Sequence, residues 1–396
     1  MKIQTYVWVL CLLYIFLSFP TFAFAAPADL DSTFNSSSGI DGQIVHTAVD
    51  SSDHIIIYGY FSTYDSLNFS GLARIDKDGL IDSSFDPGTS ADGTVEALAV
   101  QSDRKVIIAG DFETFDGDSI IDIARLNADG SLDSSFDPGL GSDGIIYDII
   151  VLQSGKILVA GQFSSFNSIS ANNIVLLNQD GSVDTTFDVA TGPDSSVYAL
   201  LEQPDGKIVI GGNFTTFNAQ SRQYLARIES DGSLDTSFIV GSSIEFPVYS
   251  LALQSTNNII FVGLFYNDSG VEDIQIGRLL ADTGTLDSSF NPGGVATDPG
   301  YWSNTVSIEA LKVLDTDQIL IGGQFREYNL VTRNGIARLQ ADGTLDTVFD
   351  PGTGVDYAVK SISLLSNNQI IIAGNYYTYN DSASVSISKL EGDPLV

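Results

Sequence analysis

The chain has 396 residues, of which 50 are acidic and 17 are basic, and its formal net charge at pH 7 is −33. This charge argues against binding to nucleic acid or to an anionic membrane surface, because both would repel the protein. One cysteine and two histidines are too few for a thiolate or histidine zinc site or a Cys/His nucleophile pair. With 43% hydrophobic and 10% aromatic residues, the composition indicates a folded chain.

The first 25 residues have the pattern of a cleaved signal peptide. Residues 7–19 are almost wholly apolar, and Ala23 and Ala25 are small residues at the two positions that signal peptidase reads. We expect cleavage before Ala26, because the apolar run is shorter than the ~20 residues that span a bilayer. The only cysteine, Cys11, lies in this segment, so the mature chain needs no disulfide. The mature protein is expected to be secreted, periplasmic or on the cell surface, without membrane insertion.

Residues 26–396 are interpreted as one domain made of seven repeats. The first repeated signature is an aliphatic residue, an aspartate, two small or polar residues and a phenylalanine. Its phenylalanines are Phe34, Phe85, Phe136, Phe187, Phe238, Phe290 and Phe349. The second signature is a glycine followed two residues later by an aromatic residue. Its glycines are Gly59, Gly110, Gly161, Gly212, Gly263, Gly323 and Gly374. Because both signatures keep a period of about 51 residues, the sequence indicates a repeat architecture.

Each repeat is predicted to form four short strands, with no room for a helix. The strands expected in the second repeat lie near residues 95–100, 105–112, 120–127 and 131–136. Asp129 and Gly130, before the fourth strand, are typical of a two-residue hairpin in which both central residues have positive φ. A four-stranded sheet repeated every ~40 to 50 residues is the signature of a β-propeller blade. We therefore predict an all-β, seven-bladed β-propeller of four-stranded antiparallel blades.

The two ends of the repeat array are complementary. The mature chain opens with a fourth-strand signature at residues 30–34, and the last repeat stops after a third strand at residues 385–390. We predict that the N-terminal strand completes the last blade and closes the ring, which removes an exposed sheet edge. An insertion near residues 293–304 interrupts the array.

The run from Ile123 to Gly139, preceded by the sequence Gly-Asp-Phe-Glu-Thr-Phe that starts at Gly110, resembles the delta-sixty repeat family of bacterial secreted and surface proteins. The resemblance extends over essentially the whole mature chain. It implies a β-propeller in an extracytoplasmic setting, and the family has no established activity to transfer. No repeat ends in a Trp-Asp pair, so the WD40 and kelch types of blade fit poorly.

Residues that recur in every repeat are interpreted as scaffold, because a catalytic site would occur once. The recurring aspartates are Asp31, Asp82, Asp133, Asp184, Asp235, Asp287 and Asp346. Basic residues in six repeats are expected on the third strand, where they can pair with these aspartates. They are Arg74, Arg125, Arg227, Arg278, Arg338 and Lys389, and Leu176 replaces them in the third repeat.

The acidic turns raise the possibility of calcium. Residues 76–82 superficially resemble a calcium loop, and carboxylate oxygens are abundant in this chain. The bidentate glutamate of an EF-hand is absent, however, and turn geometry already explains the Asp-Gly pair. No cofactor is therefore expected, with calcium as the open alternative.

Candidate ligand-binding residues are expected where the repeats differ. One position on the first strand of each repeat varies between aromatic, acidic and basic side chains. Its residues are His46, Glu96, Tyr147, Tyr198, Tyr249, Glu309 and Lys360. Because first strands line the central channel of a propeller, this column is expected to ring the channel mouth and to suit a ligand. The alternative is a tolerant, half-exposed strand end without a ligand.

The insertion supplies a second candidate. Tyr301 and Trp302 are an aromatic pair in a loop, which suits stacking on a sugar or a peptide, although a plain surface loop explains them equally well.

The sequence favours an exported, monomeric, non-catalytic propeller that binds an extracellular glycan, protein or peptide at the channel mouth. A secreted hydrolase or lyase is the alternative, with Glu96 and Glu309 as the carboxylates and His46 or Tyr249 as acid or base. A purely structural display module is a third possibility. The identity of the ligand stays open.

Overall fold

The computed structural model describes residues 26–34, 40–241, 244, 246–266, 272–293, 296–297 and 306–393, without the side chains of 264–266 and 272–275. The predicted signal peptide lies outside these residues, as do Tyr301 and Trp302. The described residues form strands and turns only, which confirms the all-β prediction, and they contain no helix that could cross a membrane.

Seven three-stranded antiparallel sheets in the described part of the chain share one layout. Their first strands are Gln43–Val49, Thr94–Val100, Ile145–Val151, Val197–Glu202, Val248–Leu253, Ser307–Val313 and Ala358–Leu364. Their second strands are Ile55–Tyr60, Val106–Asp111, Ile157–Gln162, Ile208–Gly212, Ile259–Tyr266, Ile319–Gln324 and Ile370–Asn375. Their third strands are Leu72–Ile75, Ile123–Leu126, Ile174–Leu177, Leu225–Ile228, Glu272–Leu279, Ile336–Leu339 and Ile387–Leu390. The second strand is central in every sheet and pairs with both others.

Short hairpins connect the second and third strands in six repeats. Their paired strands are Thr63–Tyr64 with Leu67–Asn68, Thr114–Phe115 with Asp118–Ser119, Ser165–Phe166 with Ile169–Ser170, Thr216–Phe217 with Gln220–Ser221, Glu327–Tyr328 with Val331–Thr332, and Thr378–Tyr379 with Ser382–Ala383. A further short strand, Ala296–Thr297, pairs with Glu327–Tyr328. At the tip of the first hairpin, Asp65 and Ser66 have φ of 49° and 65°, as a tight hairpin turn requires.

The prediction of four-stranded blades is wrong, because the sheets have two or three strands. The expected fourth strand is reduced to single bridges, such as those of Ile81 with Ile75 and of Leu132 with Leu126. After the bridge at Leu132 the chain leaves the sheet in a tight turn, because the carboxylate of Asp133 accepts a hydrogen bond from the Ser135 amide at 3.0 Å. A strand cannot continue through this turn.

The Asp-Gly turns also differ from the predicted two-residue form. Gly79 and Gly130 have φ of 82° and 89°, whereas the aspartates before them do not have positive φ. The Gly79 amide donates to the Asp76 carbonyl at 3.0 Å, so each connection is a longer turn that ends in a left-handed glycine.

The N-terminal segment lies against the last sheet without forming a strand. Leu30 makes one bridge to Leu390, and the Asp31 amide donates to the Lys389 carbonyl at 2.9 Å. The Tyr379 hydroxyl donates to the Ala28 carbonyl at 2.7 Å. The predicted completion of the last sheet by a full N-terminal strand is therefore not formed, although the two ends of the chain are in contact.

The hydrophobic core lies between neighbouring sheets. One cluster joins Ile44 and Ile57 of the first sheet to Ile371 and Ile387 of the last, and others join successive sheets in the same way. Adjacent first strands contact each other, and Ala358–Leu364 contacts Gln43–Val49. Each first strand therefore lies beside the first strands of the neighbouring sheets.

Candidate functional site

Each first strand carries a β-bulge near its start. In the second sheet Val95 pairs with Gly110 and Ala97 pairs with Ala109, so Glu96 between them has no partner in the register. A bulge bends the strand and re-aims the extra side chain. The same irregularity leaves out one residue in each of the next five sheets. These residues are Tyr147, Tyr198, Tyr249, Glu309 and Lys360.

The register corrects the predicted column at the first repeat. There Ile44 pairs with Gly59 and His46 pairs with Tyr58, so the bulge residue is Val45. His46 was therefore placed one residue out of register. Position 45 lies 51 residues before position 96, so the repeat period itself indicates Val45 as the bulge residue. His46 was chosen from the sequence because Val45 resembles the aliphatic residue that precedes each bulge.

Six of the seven predicted residues nevertheless lie together around one cavity of about 290 Å³, which we call the first-strand cavity. They are His46, Tyr147, Tyr198, Tyr249, Glu309 and Lys360. The rest of the lining is Asp148, Ala199, Leu200, Ser250, Leu251, Ala310, Leu311, Ser361 and Ile362. Glu96 is not part of the lining. The cavity thus combines aromatic and charged groups with aliphatic and small side chains.

Three tyrosines form an aromatic wall of this cavity. The rings of Tyr147 and Tyr198 meet edge to face, with centroids 5.2 Å apart and planes at 68°. The rings of Tyr198 and Tyr249 are stacked, with centroids 5.4 Å apart and planes at 15°. Burial raises the pKa of Tyr147, and the neighbouring Tyr198 and Glu96 contribute in the same direction. The Tyr147 hydroxyl therefore stays protonated at neutral pH.

Lys360 and Glu309 form an ion pair across neighbouring first strands. The Lys360 ammonium lies 2.7 Å from Glu309 Oε2, and the Ser307 hydroxyl donates to Glu309 Oε1 at 2.7 Å. Both carboxylate oxygens of Glu309 are thereby engaged. Since Glu96 lies outside the lining, the cavity does not bring together two available glutamates of the kind that the hydrolase alternative needs.

Asp148 lies one residue beyond the bulge and also lines the cavity. The Leu200 amide donates to its Oδ2 at 2.7 Å, and burial raises the pKa of its carboxyl to about 7. The sequence comparison missed Asp148 because it followed the bulge position only. In the correct register, Asp148 stands out as the acidic residue in a column otherwise occupied by histidine, alanine and serine.

His46 occupies the same column as Asp148. Burial, together with the charge of Lys360, lowers the pKa of His46 to about 4, against an opposing hydrogen bond with the Val95 backbone. The imidazole is therefore neutral at physiological pH. Its Nε2 is buried and has no hydrogen-bond partner among the described residues.

The recurring acidic and basic columns pair as predicted. Arg74, Arg227 and Arg338 donate through Nε to Asp82, Asp235 and Asp346 at 2.7–2.8 Å. Arginines also lie over the recurring phenylalanine rings, for example 4.3 Å from the guanidinium carbon to the ring centroid for Arg227. The predicted pairing of these two columns is therefore confirmed, and their scaffold role stays an interpretation. In the third repeat, which lacks the arginine, Lys156 directly before the second strand pairs with Asp184. This pair was not anticipated from the sequence.

The acidic turns engage their own backbone. Asp76 Oδ1 accepts hydrogen bonds from the amides of Asp78 and Leu80, both at 2.9 Å. This agrees with the turn interpretation of residues 76–82, while calcium binding stays an untested prediction.

A larger cavity, of about 530 Å³, lies between the third and fourth sheets. Its two carboxylates serve the backbone, because Asp143 accepts from the Ser164 amide at 2.8 Å and Asp194 accepts from the Thr215 amide at 2.7 Å. These groups are occupied by the fold, so the first-strand cavity is the better candidate despite its smaller volume.

Comparison with known proteins identifies the repeats. The family described as a domain of unknown function (DUF5122) beta-propeller matches six segments. They are residues 51–85, 101–136, 152–187, 203–238, 254–290 and 316–349. These segments cover more than half of the chain. No curated protein sequence matches it.

Solved structures with the same fold are distant in sequence. The WD40 β-propeller domain of Doa1 is 15% identical, with a TM-score of 0.54 over 89% of this chain and 95% of that one. The extracellular domain of BT4673 from B. thetaiotaomicron is 14% identical, with a TM-score of 0.52 over 92% of this chain and 40% of that one. YCF48 bound to D1 peptide is 14% identical, with a TM-score of 0.50 over 94% and 99%. At these identities the likeness concerns the fold.

Proposed function

Because the chain belongs to the DUF5122 β-propeller family, we propose that it is a non-catalytic binding propeller whose ligand occupies the first-strand cavity. The observation that carries this proposal is the gathering of Tyr147, Tyr198, Tyr249 and the Lys360–Glu309 pair around one cavity. These side chains differ between repeats, whereas the residues that hold the sheets recur. A ligand needs such non-repeating polar and aromatic groups on a rigid frame, and a scaffold does not.

The architecture that we propose is a single domain of seven blades arranged in a ring. The shared layout of seven sheets supports the number. Contacts between the two ends of the array support closure: Thr47 Oγ1 lies 2.8 Å from the hydroxyls of Ser361 and Ser363, and the Lys389 ammonium donates to the Lys77 carbonyl at 2.8 Å. The protein in this proposal acts as a monomer.

The setting that we propose is outside the cytoplasm. The leader-like first 25 residues support export, and an extracellular domain is among the proteins of similar fold. We favour a peptide or protein segment as the ligand, because a protein of similar fold has been solved with a peptide bound. A glycan is the competing ligand, since an aromatic wall also suits sugar rings.

A binding array tests the proposal. The mature chain, starting at Ala26, is screened against peptides and glycans, and hits are repeated with Tyr147, Tyr198 and Tyr249 each replaced by alanine. Tyr377→Ala is the matched control, because this tyrosine is 67% exposed and does not line the cavity. We expect the three cavity variants to lose binding and the control to keep it.

Binding that survives all three cavity substitutions contradicts the assignment of the site. No binding to any probe would favour a display module instead. Circular dichroism and melting curves of each variant show whether a loss of binding is a loss of fold.

A further inference from the structure

We propose that the first-strand cavity recognises a positively charged ammonium group on its ligand, with Asp148 as the ion-pair partner and the tyrosine wall as the surface that covers it. This inference rests on the proposed function and specifies the chemistry of the ligand. The ligand that fits it is a peptide that presents a lysine side chain.

Asp148 is a carboxyl that has no counter-ion among the described residues. Among the residues that the structure describes, no basic group contributes to its titration, and its partners are the backbone amides of Leu200 and Ile149. The cost of removing this carboxylate from water is therefore poorly compensated within the protein. A cation bound in the cavity would supply the missing charge.

The aromatic wall is adjacent to this carboxyl. Tyr147 directly precedes Asp148 in the chain. Its ring contacts the ring of Tyr198, which in turn stacks on the ring of Tyr249. The face of an aromatic ring carries partial negative charge and attracts ammonium groups. The wall and the carboxyl thus favour the same kind of ligand group.

The other charged groups of the cavity leave this role to Asp148. Lys360 is paired with Glu309 at 2.7 Å and does not neutralise Asp148. His46 is neutral, because the pKa of its ring is lowered to about 4, so it does not compete as a cation. The net charge of −33 attracts cationic ligands to the whole molecule.

A neutral sugar would make different use of the site. It could stack on the tyrosines and accept or donate hydrogen bonds, but it would gain nothing from an ionised Asp148. Whether binding depends on the charge of Asp148 therefore distinguishes an ammonium ligand from a neutral sugar.

Two peptides that differ in one charge test the inference. The blocked peptide Gly-Gly-Lys-Gly-Gly and its acetyl-lysine counterpart are titrated into the mature protein by calorimetry at pH 6 and pH 8. We expect the lysine peptide to bind at least tenfold more tightly than the acetylated one. Its binding is expected to strengthen from pH 6 to pH 8, because the pKa of Asp148, raised to about 7, lies between these values.

Variants separate the site from general attraction to an acidic surface. Asp148→Asn keeps the shape and the oxygen that accepts the Leu200 amide, so it is expected to lose the preference for lysine. Tyr249→Ala, at a residue that is 45% exposed, is a second variant that spares the core. Asp118→Asn removes one exposed charge outside the cavity and is expected to leave the preference unchanged.

Equal binding of the two peptides, or a preference for lysine that persists in Asp148→Asn, would overturn the ammonium assignment. The proposed function would survive that result if array ligands still depended on the tyrosines. If no array ligand depended on the cavity tyrosines, the proposed function itself would be overturned.

Discussion

Replacing Asp148 with asparagine tests how burial of this carboxyl affects stability. Burial raises the pKa of Asp148 from 3.8 to about 7 in the folded protein. At pH values well below 3.8 the carboxyl is protonated in both the folded and the unfolded chain. Between pH 3.8 and about 7 the folded protein binds more protons than the unfolded chain, so the free energy of unfolding falls as the pH rises. Above pH 7 the loss is complete.

The size of the effect follows from the shift. About three pKa units at ~1.4 kcal/mol each amount to ~4 kcal/mol, an upper value because Asp148 is partly exposed to solvent. Asparagine does not ionise, and it retains an oxygen for the Leu200 amide. We therefore expect Asp148→Asn to be as stable as the wild type near pH 4 and up to ~4 kcal/mol more stable at pH 8.

Urea unfolding at pH 4, 6 and 8, followed by circular dichroism, measures this difference. His46 also makes stability depend on pH: the pKa of its ring is lowered from 6.5 to about 4, so stability rises with pH across that interval. This contribution is common to both proteins and cancels in the comparison. Asp118→Asn is the control for the loss of one exposed charge. A stability difference that is the same at pH 4 and pH 8 would refute the reasoning.

Three further predictions concern the scaffold. Arg338→Ala removes the ion-pair partner of the buried Asp346 and is expected to lower the free energy of unfolding in urea by ~3–5 kcal/mol. Lys77→Ala, which breaks an exposed pair, is expected to change it little. Similar losses in the two variants would refute this prediction. Thr47→Val removes hydrogen bonds between the first and last sheets and should cost ~1–2 kcal/mol; no loss would mean that the contact is not stabilising. A chain that begins at Ile40 is expected to melt at a lower temperature and to associate, as measured by calorimetry and light scattering; unchanged melting would contradict a role for the N-terminal segment.

The repeat period and the turn residues sufficed to predict an all-β chain with regularly repeated sheets. They did not suffice for the fourth strand, because the alternating pattern around residues 131–136 is the same for a ladder and for a single bridge. The turn at Asp133 decides between them through hydrogen bonds within a few residues. Only the pairing of backbone groups distinguishes the two cases.

Most residues of the candidate cavity could be predicted from the sequence. The errors at His46 and Asp148 have one cause. A bulge shifts the register by one residue, so His46 was placed beside Tyr147 although it corresponds to Asp148. The same shift hid Asp148 itself. The absence of Glu96 from the cavity was beyond prediction, because it depends on how the second sheet sits against its neighbours.

The bulge has a consequence for how proteins of this design can change. In five sheets the residue that the bulge leaves out of the ladder lines the cavity, so a substitution there alters the cavity without altering the pairing of the sheet. The repeated ion pairs and hydrophobic contacts are elsewhere. Selection for a new ligand and selection for a stable fold therefore act on separate residues. A few substitutions of cavity-lining residues would adapt the same sheets to a different partner.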